Sequence, residues 1–115
     1  MEITVQEDTD HTVCRIRGDL DAFTVDDVRA AIGVVVGAPV VLLDLCEVGF
    51  MDSAGIGCLI GAIRRTREAG GEVAVVSSRP ALTRILHTTG FDRIVTVEET
   101  VEAALAAAKR GPSLA

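Results

Sequence analysis

The chain has 115 residues, the size of one domain with one core. Its hydrophobic content of 49% supports a packed interior and argues against global disorder. The net charge is −6 and Lys109 is the only lysine, so the sequence offers no basic face for a nucleic-acid backbone. Trp and Tyr are absent, which also argues against base-stacking platforms. We therefore expect no nucleic-acid partner.

The N-terminal segment and the cysteines bear on the compartment. The first ten residues, MEITVQEDTD, are acidic and lack the basic-then-apolar order of a signal peptide. No apolar stretch reaches the ~18 residues that span a membrane. The chain has an odd number of cysteines, Cys14, Cys46 and Cys58, and they lack metal-ligand spacing. This cysteine content suits a reducing compartment. We expect a cytoplasmic protein with no membrane partner.

The first part of the chain predicts an antiparallel hairpin followed by a helix. Residues 1–7 and 11–17 alternate apolar and polar side chains, as half-buried strands at a sheet edge do, and Gly18 is expected to end the second. Residues 19–24 are predicted to form a loop in which Leu20 and Phe23 pack inward. Thr24 is a candidate N-cap for a helix from 25 to about 36.

The central part predicts a buried strand, a loop and a long helix. Residues 40–45, VVLLDL, form a short apolar run typical of a strand buried on both faces. A helix is predicted over 53–69, and Gly70 and Gly71 are expected to stop it. Its apolar face consists of residues at helical spacing: Ile56, Leu59, Ile60 and Ile63.

The remaining elements complete a mixed sheet. A strand is predicted at 72–76, then a helix at 80–88 with Ser78 as a possible cap, and a strand at 94–97. The last helix should begin among Glu98, Glu99 and Glu102 and end at Lys109 and Arg110. We predict one α/β domain, residues 1–110, with a frayed tail at 111–115. Its sheet should be antiparallel at the N-terminal hairpin and parallel elsewhere, with about four α-helices.

Two arrangements are open at the start of the central helix. In the first, Asp52 is the N-cap and Ser53 is the first helical residue, exposed at the positive end of the helix. In the second, Ser53 is itself the cap and Asp52 lies one residue outside. Cap statistics alone favour the second arrangement. In the first, a phosphate on Ser53 would meet free backbone N–H groups.

No catalytic, metal or cofactor site can be read from the residues. His11 and His87 have no carboxylate or cysteine at ligand spacing and are expected to be surface or packing residues. Asp44 could be a phosphoacceptor, but the companion residues of such a site are missing, so a loop-organising role is favoured. Cys46 and Cys58 could meet as a redox pair, although two buried thiols are the simpler interpretation. We expect no enzyme activity and no cofactor.

The glycines of the central helix are a further feature without chemistry of their own. Gly55, Gly57 and Gly61 follow the start of that helix at short intervals. They are expected to permit close backbone approach, either to the sheet or to a partner.

Several segments, in order, resemble the STAS family and in particular bacterial anti-sigma factor antagonists. The segment FMDSAGIG at 50–57, preceded by VVLLDL, resembles the family's signature. The segment RGDLDAFT at 17–24 resembles the family's G-[ED]-L-D segment. The stretches EAGGEVAVV at 68–76 and SRPALTRILHTTGFDRIVTV at 78–97 resemble its later helix and strands. The resemblance covers almost the whole chain.

The resemblance implies a non-catalytic binding protein. Such proteins bind an anti-sigma factor, usually a small serine protein kinase of the histidine-kinase-like ATPase class, and so free a sigma factor. The kinase phosphorylates the serine of D-S-x-G, here Ser53, and a PP2C-type phosphatase reverses this. Ala54, where many members have Ser or Thr, leaves Ser53 as the only acceptor in the motif. The expected partner-binding residues are Asp19, Asp21, Asp52, Ser53, Ala54, Gly55, Ile56 and Gly57.

The same family resemblance leaves other functions open. Some STAS domains are non-catalytic subunits of lipid-trafficking or transporter complexes, or scaffolds in stress-signalling assemblies. A small-ligand or nucleotide sensor with Asp21 and Ser53 at its pocket is a third possibility. The acceptor motif and the acidic chain favour the anti-sigma factor antagonist.

Overall fold

The computed structural model describes residues 1–35 and 37–111. Most of the predicted tail, 112–115, and Val36 at the predicted end of the first helix lie outside the described residues. The strands are β1 (Glu2–Glu7), β2 (Thr12–Leu20), β3 (Val40–Met51), β4 (Glu72–Val76) and β5 (Thr96–Glu98). The helices are α1 (Val25–Val35), α2 (Ser53–Glu68), α3 (Pro80–Thr88) and α4 (Val101–Lys109), with a 3-10 turn at Phe91–Arg93.

The five strands form one sheet in the order β1-β2-β3-β4-β5. β1 pairs with β2 antiparallel, and every other neighbouring pair is parallel. The prediction of a mixed sheet with four helices is confirmed. Of the two hairpin strands, however, β1 alone lies at a sheet edge, because β2 is hydrogen-bonded to β3 on its other side. The second half of the predicted edge hairpin is therefore an interior strand.

β2 and β3 are longer than the sequence predicts. The expected ends at Gly18 and Leu45 are wrong, since pairing continues as far as Leu20 opposite Met51. Register shifts between Arg15 and Arg17 and between Gly18 and Leu20 accommodate extra residues in the ladder. The extension carries both strands out to the start of α2.

Helices cover both faces of the sheet. Side chains of β3 alternate between the faces, with Val41, Leu43 and Leu45 in one cluster and Leu42 in another. The larger cluster includes buried side chains of α1, α2 and α3, and the smaller one includes α4. β3 is thus buried on both faces in its first half, as its apolar run predicts.

Several local predictions need correction in the C-terminal part. Arg79, not Ser78, is the N-cap of α3, and no side chain caps that helix. The last strand begins two residues later than predicted because Phe91–Arg93 forms a 3-10 turn. α4 is capped by Thr100, whose hydroxyl accepts a hydrogen bond from Ala103 N–H at 3.1 Å, so Glu98 belongs to β5. The stop after α2 is confirmed, with Gly70 at φ +88°.

Among the described residues, none of the helices combines the length and apolar character that crossing a membrane requires.

Candidate protein-docking site at the start of α2

Asp52 is the N-cap of α2. Its backbone is extended (φ −104°, ψ −174°), and its carboxylate accepts a hydrogen bond from Gly55 N–H at 3.0 Å. Ser53 is therefore the first helical residue, and the arrangement that cap statistics favour is wrong. The reason lies in the sheet, because pairing of Met51 with Leu20 holds β3 extended up to the residue before Asp52.

Ser53 is exposed at the positive end of a 16-residue helix. Its hydroxyl is not needed for capping, since the Asp52 carboxylate serves that purpose. The first intrahelical bond runs from Ile56 N–H to Asp52 C=O at 3.0 Å, so the N–H groups of Ser53 and Ala54 precede the helical ladder. An anion on Ser53 would meet these N–H groups and the favourable end of the dipole.

Residues 19–24, which we call the acidic loop, comprise the last two residues of β2 and the turn before α1, so the predicted loop begins two residues later than expected. Hydrogen bonds of their own side chains fix these residues. Phe23 N–H donates to the Asp21 carboxylate at 2.9 Å, and Asp21 N–H donates to the Thr24 hydroxyl at 3.0 Å. The same hydroxyl donates to the Asp19 carbonyl at 2.8 Å. The side chain of Thr24 thus closes the loop before α1 instead of capping that helix as predicted.

The acidic loop lies against the first turns of α2. Asp52 N–H donates to the Leu20 carbonyl at 3.3 Å, and Cys58 Sγ lies 3.8 Å from the Val25 carbonyl. A Cβ on Gly55 would lie 2.3 Å from the Leu20 carbonyl oxygen, closer than any side chain allows. The predicted close approach at Gly55 is confirmed.

The other two helix glycines differ. A Cβ on Gly57 would meet nothing within 4 Å, and one on Gly61 would meet only Arg65 Nη1 at 3.5 Å. Neither residue is required by contact with the sheet, so a close approach there is not seen within the described residues.

The eight predicted partner-binding residues differ in exposure. Asp19, Ser53 and Gly57 are exposed, and Asp21, Asp52, Ala54 and Ile56 are partly buried. Gly55 is buried under Leu20, so its position serves the fit between loop and helix. The structure brings all eight to one end of the molecule, at the carboxyl ends of β2 and β3.

Phe23 contradicts its predicted inward position. Its side chain is 96% exposed, whereas Leu20, predicted with it, is completely buried. Sequence reasoning therefore missed an exposed aromatic residue in the acidic loop, which lies against the start of α2. The available signal was the spacing of Asp21 and Thr24, whose side chains form the local hydrogen bonds that turn the intervening residues outward.

Asp44 is neither at a strand end nor in a loop. It is buried within β3, where it accepts hydrogen bonds from Arg15 Nε and from Cys46 N–H, both at 3.0 Å. The loop-organising role is wrong because β3 continues for seven residues beyond it, to Met51. Asp44 is instead half of a partly buried ion pair that joins β2 to β3.

Cys46 and Cys58 do not form a redox pair. All three cysteines are free. Cys58 belongs to the cluster of the α2 face, whereas Cys46 packs against the cluster on the α4 face, so the sheet separates them. Burial raises the pKa of both thiols, and it raises the pKa of Cys14 to about 11.

Each histidine ring contacts an aspartate close to it in sequence. Nδ1 of His11 is 2.7 Å from an Asp10 carboxylate oxygen, and Nδ1 of His87 is 2.8 Å from Asp92. The His11 ring is mostly buried and the His87 ring mostly exposed, which fits packing and surface positions. Within residues 1–35 and 37–111, no three side chains of the His, Cys, Asp and Glu type are grouped as metal ligands.

Four surface cavities of about 340 to 500 Å³ lie away from the start of α2. Their lining residues include neither Asp21 nor Ser53. None of these four cavities is therefore the pocket that a ligand sensor with Asp21 and Ser53 would require.

Comparison with known proteins agrees with this geometry. The family model described as STAS domain matches residues 2–104. A relative named anti-sigma-B factor antagonist, from Listeria monocytogenes serovar 1/2a, is 33% identical over 95 residues, covering 81% of this chain and 83% of its own. The anti-sigma-F factor antagonist RsfA of Mycobacterium tuberculosis is 30% identical over 112 residues, covering 93% and 87%.

A solved structure of similar shape extends the comparison to the fold. The crystal structure of an anti-sigma factor antagonist from Mycobacterium paratuberculosis superimposes with a TM-score of 0.85 at 29% identity. The match covers 94% of this chain and 93% of that one. With the family model matching most of its length, the chain belongs to the STAS domain family.

Proposed function

We propose that this protein is an anti-sigma factor antagonist that binds its anti-sigma factor through the start of α2 and the acidic loop. The observation that carries the proposal is the exposed Ser53, held at the first position of α2 by the Asp52 cap. Relatives at 33% and 30% identity bear the name anti-sigma factor antagonist, which supports the assignment. Binding would withdraw the anti-sigma factor from a sigma factor in the cytoplasm. The sigma factor would then be free to direct transcription.

The partner in this proposal is a serine protein kinase that phosphorylates Ser53 and thereby ends its own binding. A phosphate adds about −1.5 to −2 charges. It would enter a surface that already carries Asp19, Asp21 and Asp52. A partner face that accepts a neutral hydroxyl beside these carboxylates would then bury unpaired negative charge, which costs several kcal/mol.

The switch requires no change in the fold of this protein. The Asp52 carboxylate, not the Ser53 hydroxyl, holds the first turn of α2. A phosphate on Ser53 therefore breaks no capping bond, and the N–H groups and dipole of the helix stabilise it. The unmodified state would be restored by a PP2C-type phosphatase, for which the exposed Ser53 is accessible.

The test uses purified histidine-kinase-like anti-sigma factors of the source organism, each mixed with this protein and ATP. Mass spectrometry should find one phosphate, on Ser53, in the wild type and none in Ser53→Ala. Ser78→Ala is the matched control, because Ser78 is also exposed but lies beyond β4. It should be phosphorylated like the wild type.

Binding measured with the same kinases completes the test. Wild type and Ser53→Ala should bind with similar affinity, and Ser53→Asp should bind at least about tenfold more weakly, which is ~1.4 kcal/mol. The proposal is rejected if phosphate appears on another residue or if Ser53→Asp binds as tightly as the wild type.

A further inference from the structure

We propose that Phe23 is the aromatic anchor of the docking surface and enters an apolar pocket with a basic rim on the anti-sigma factor. The inference rests on the proposed function and adds a specificity-determining residue to it. Phe23 is 96% exposed, whereas Phe91 is buried in the core. Aromatic side chains, Phe among them, are enriched at protein interfaces and bury a large apolar area once a partner covers them.

The backbone of Phe23 is held in place before any partner arrives. Its N–H donates to the Asp21 carboxylate, and the Thr24 hydroxyl ties the following residue to Asp19. Thr24 N–H and Val25 N–H both donate to the Asp21 carbonyl, at 3.1 and 3.0 Å. A partner that binds the ring therefore has little loop entropy to remove, which favours affinity.

The residues on both sides of Phe23 along the chain contact the first turns of α2, where Ser53 lies. Leu20 reaches the first turn at Asp52 and Gly55, and the Val25 carbonyl lies against Cys58. Consecutive Cα atoms are about 3.8 Å apart, so the Cα atom of Phe23 lies within about 8 Å of that of Val25. A protein face that covers Ser53 is thus within reach of the Phe23 ring.

The charge around Phe23 specifies the chemistry of the partner pocket. Residues 19–27, DLDAFTVDD, contain four aspartates and no basic residue. Arg29 offsets one of them, since its Nη1 lies 3.0 Å from Asp26. The complementary surface is an apolar cleft for the ring bordered by Arg or Lys side chains.

Affinity measurements with the anti-sigma factors of the source organism test the inference. Phe23→Ala should bind at least about tenfold more weakly than the wild type, as expected for the loss of a hot-spot residue. Phe23→Leu should recover part of the loss. Val34→Ala is the matched control: Val34 is 77% exposed, but it lies nine residues beyond Val25 at the far end of α1 and should bind like the wild type.

The outcomes separate the inference from the proposed function. If no anti-sigma factor binds the wild type, both are rejected. If the wild type binds, Ser53→Asp releases the partner and Phe23→Ala binds like the wild type, the proposed function stands and the anchor role is rejected. The anchor role is also rejected if Val34→Ala weakens binding to the anti-sigma factor as much as Phe23→Ala does. Circular dichroism should show the same thermal midpoint for all variants, because both side chains are exposed.

Discussion

The Asp52 carboxylate accepts the Gly55 N–H at 3.0 Å, and this contact makes Ser53 the first residue of α2. Replacing Asp52 by Ala removes the cap and should lower the free energy of unfolding by about 1 kcal/mol, measured by urea denaturation. Asp52→Asn should retain most of the stability, because its amide oxygen can accept the same bond. Ser53→Ala should change stability by less than ~0.5 kcal/mol. An equal loss in Ser53→Ala would contradict the assignment of the cap.

Gly55 and Gly57 provide a matched pair in the same helix. A Cβ at position 55 would lie 2.3 Å from the Leu20 carbonyl oxygen and 2.9 Å from Met51 Cγ, so Gly55→Ala must displace β2 or α2. We expect it to lower the free energy of unfolding by at least ~2 kcal/mol. Gly57→Ala has open space and should raise it by about 0.5–1 kcal/mol, since alanine favours helix. Denaturant titration measures both, and equal effects would disprove the close approach.

The types and order of the helices and strands were predictable from sequence, because each apolar pattern is typical of one type of element. The run at 40–45 indicates a strand, and the spacing from Ile56 to Ile63 indicates a helix. The strand ends were not predictable. β3 continues to Met51 through residues of mixed polarity because β2 pairs with it there, and that register joins residues 31 apart in sequence. Local patterns carry no information about such a pairing.

The candidate site was predictable in part. The segment from Asp52 to Gly57 could be recognised, but Asp and Ser are both good caps, and only the end of β3 decides between them. The outward position of Phe23 depends on hydrogen bonds among Asp21, Thr24 and Asp19, whereas hydrophobicity alone predicts burial. Both errors arise where backbone geometry overrides residue preference.

The Arg15–Asp44 ion pair should contribute more to the free energy of unfolding than the ion pairs of Arg17, which lies on the same strand. Asp44 is 6% exposed, so Arg15→Met removes the Arg15 Nε donor and leaves the buried carboxylate with the hydrogen bond from the Cys46 N–H. We expect a loss of about 1–3 kcal/mol in the free energy of unfolding. Arg17→Met is the control, because its contacts to Glu47 at 3.4 Å and Glu2 at 4.0 Å are exposed and should be worth at most ~1 kcal/mol. A larger loss in Arg17→Met would overturn this ranking.

The three cysteines should differ in reactivity. Cys46 is only partly buried, whereas Cys14 is fully buried with its pKa raised to about 11. A disulfide reagent at pH 8 should therefore modify Cys46 first and Cys14 last in the native protein, because the thiolate must be both formed and accessible. Cys46→Ser should remove the fast phase. Mild oxidation should yield no intramolecular bond between Cys46 and Cys58, and a peptide map containing that bond would contradict their separation by the sheet.

Asp10 lies between β1 and β2 and contacts the end of α4, and its ionisation reports this contact. Hydrogen bonds from Lys109 and then from His11 lower the pKa of the Asp10 carboxyl from 3.8 to about 2. Because the folded-state pKa is depressed, the stabilisation is present above pH ~4 and is lost as the pH falls towards 2. Carbon-detected NMR titration should give a midpoint near 2 in the wild type and one shifted towards 3.8 in Lys109→Ala. Arg110→Ala, which removes the next cation along the chain, should leave the midpoint unchanged, and a wild-type midpoint at 3.8 would show that Lys109 does not hold Asp10 in solution.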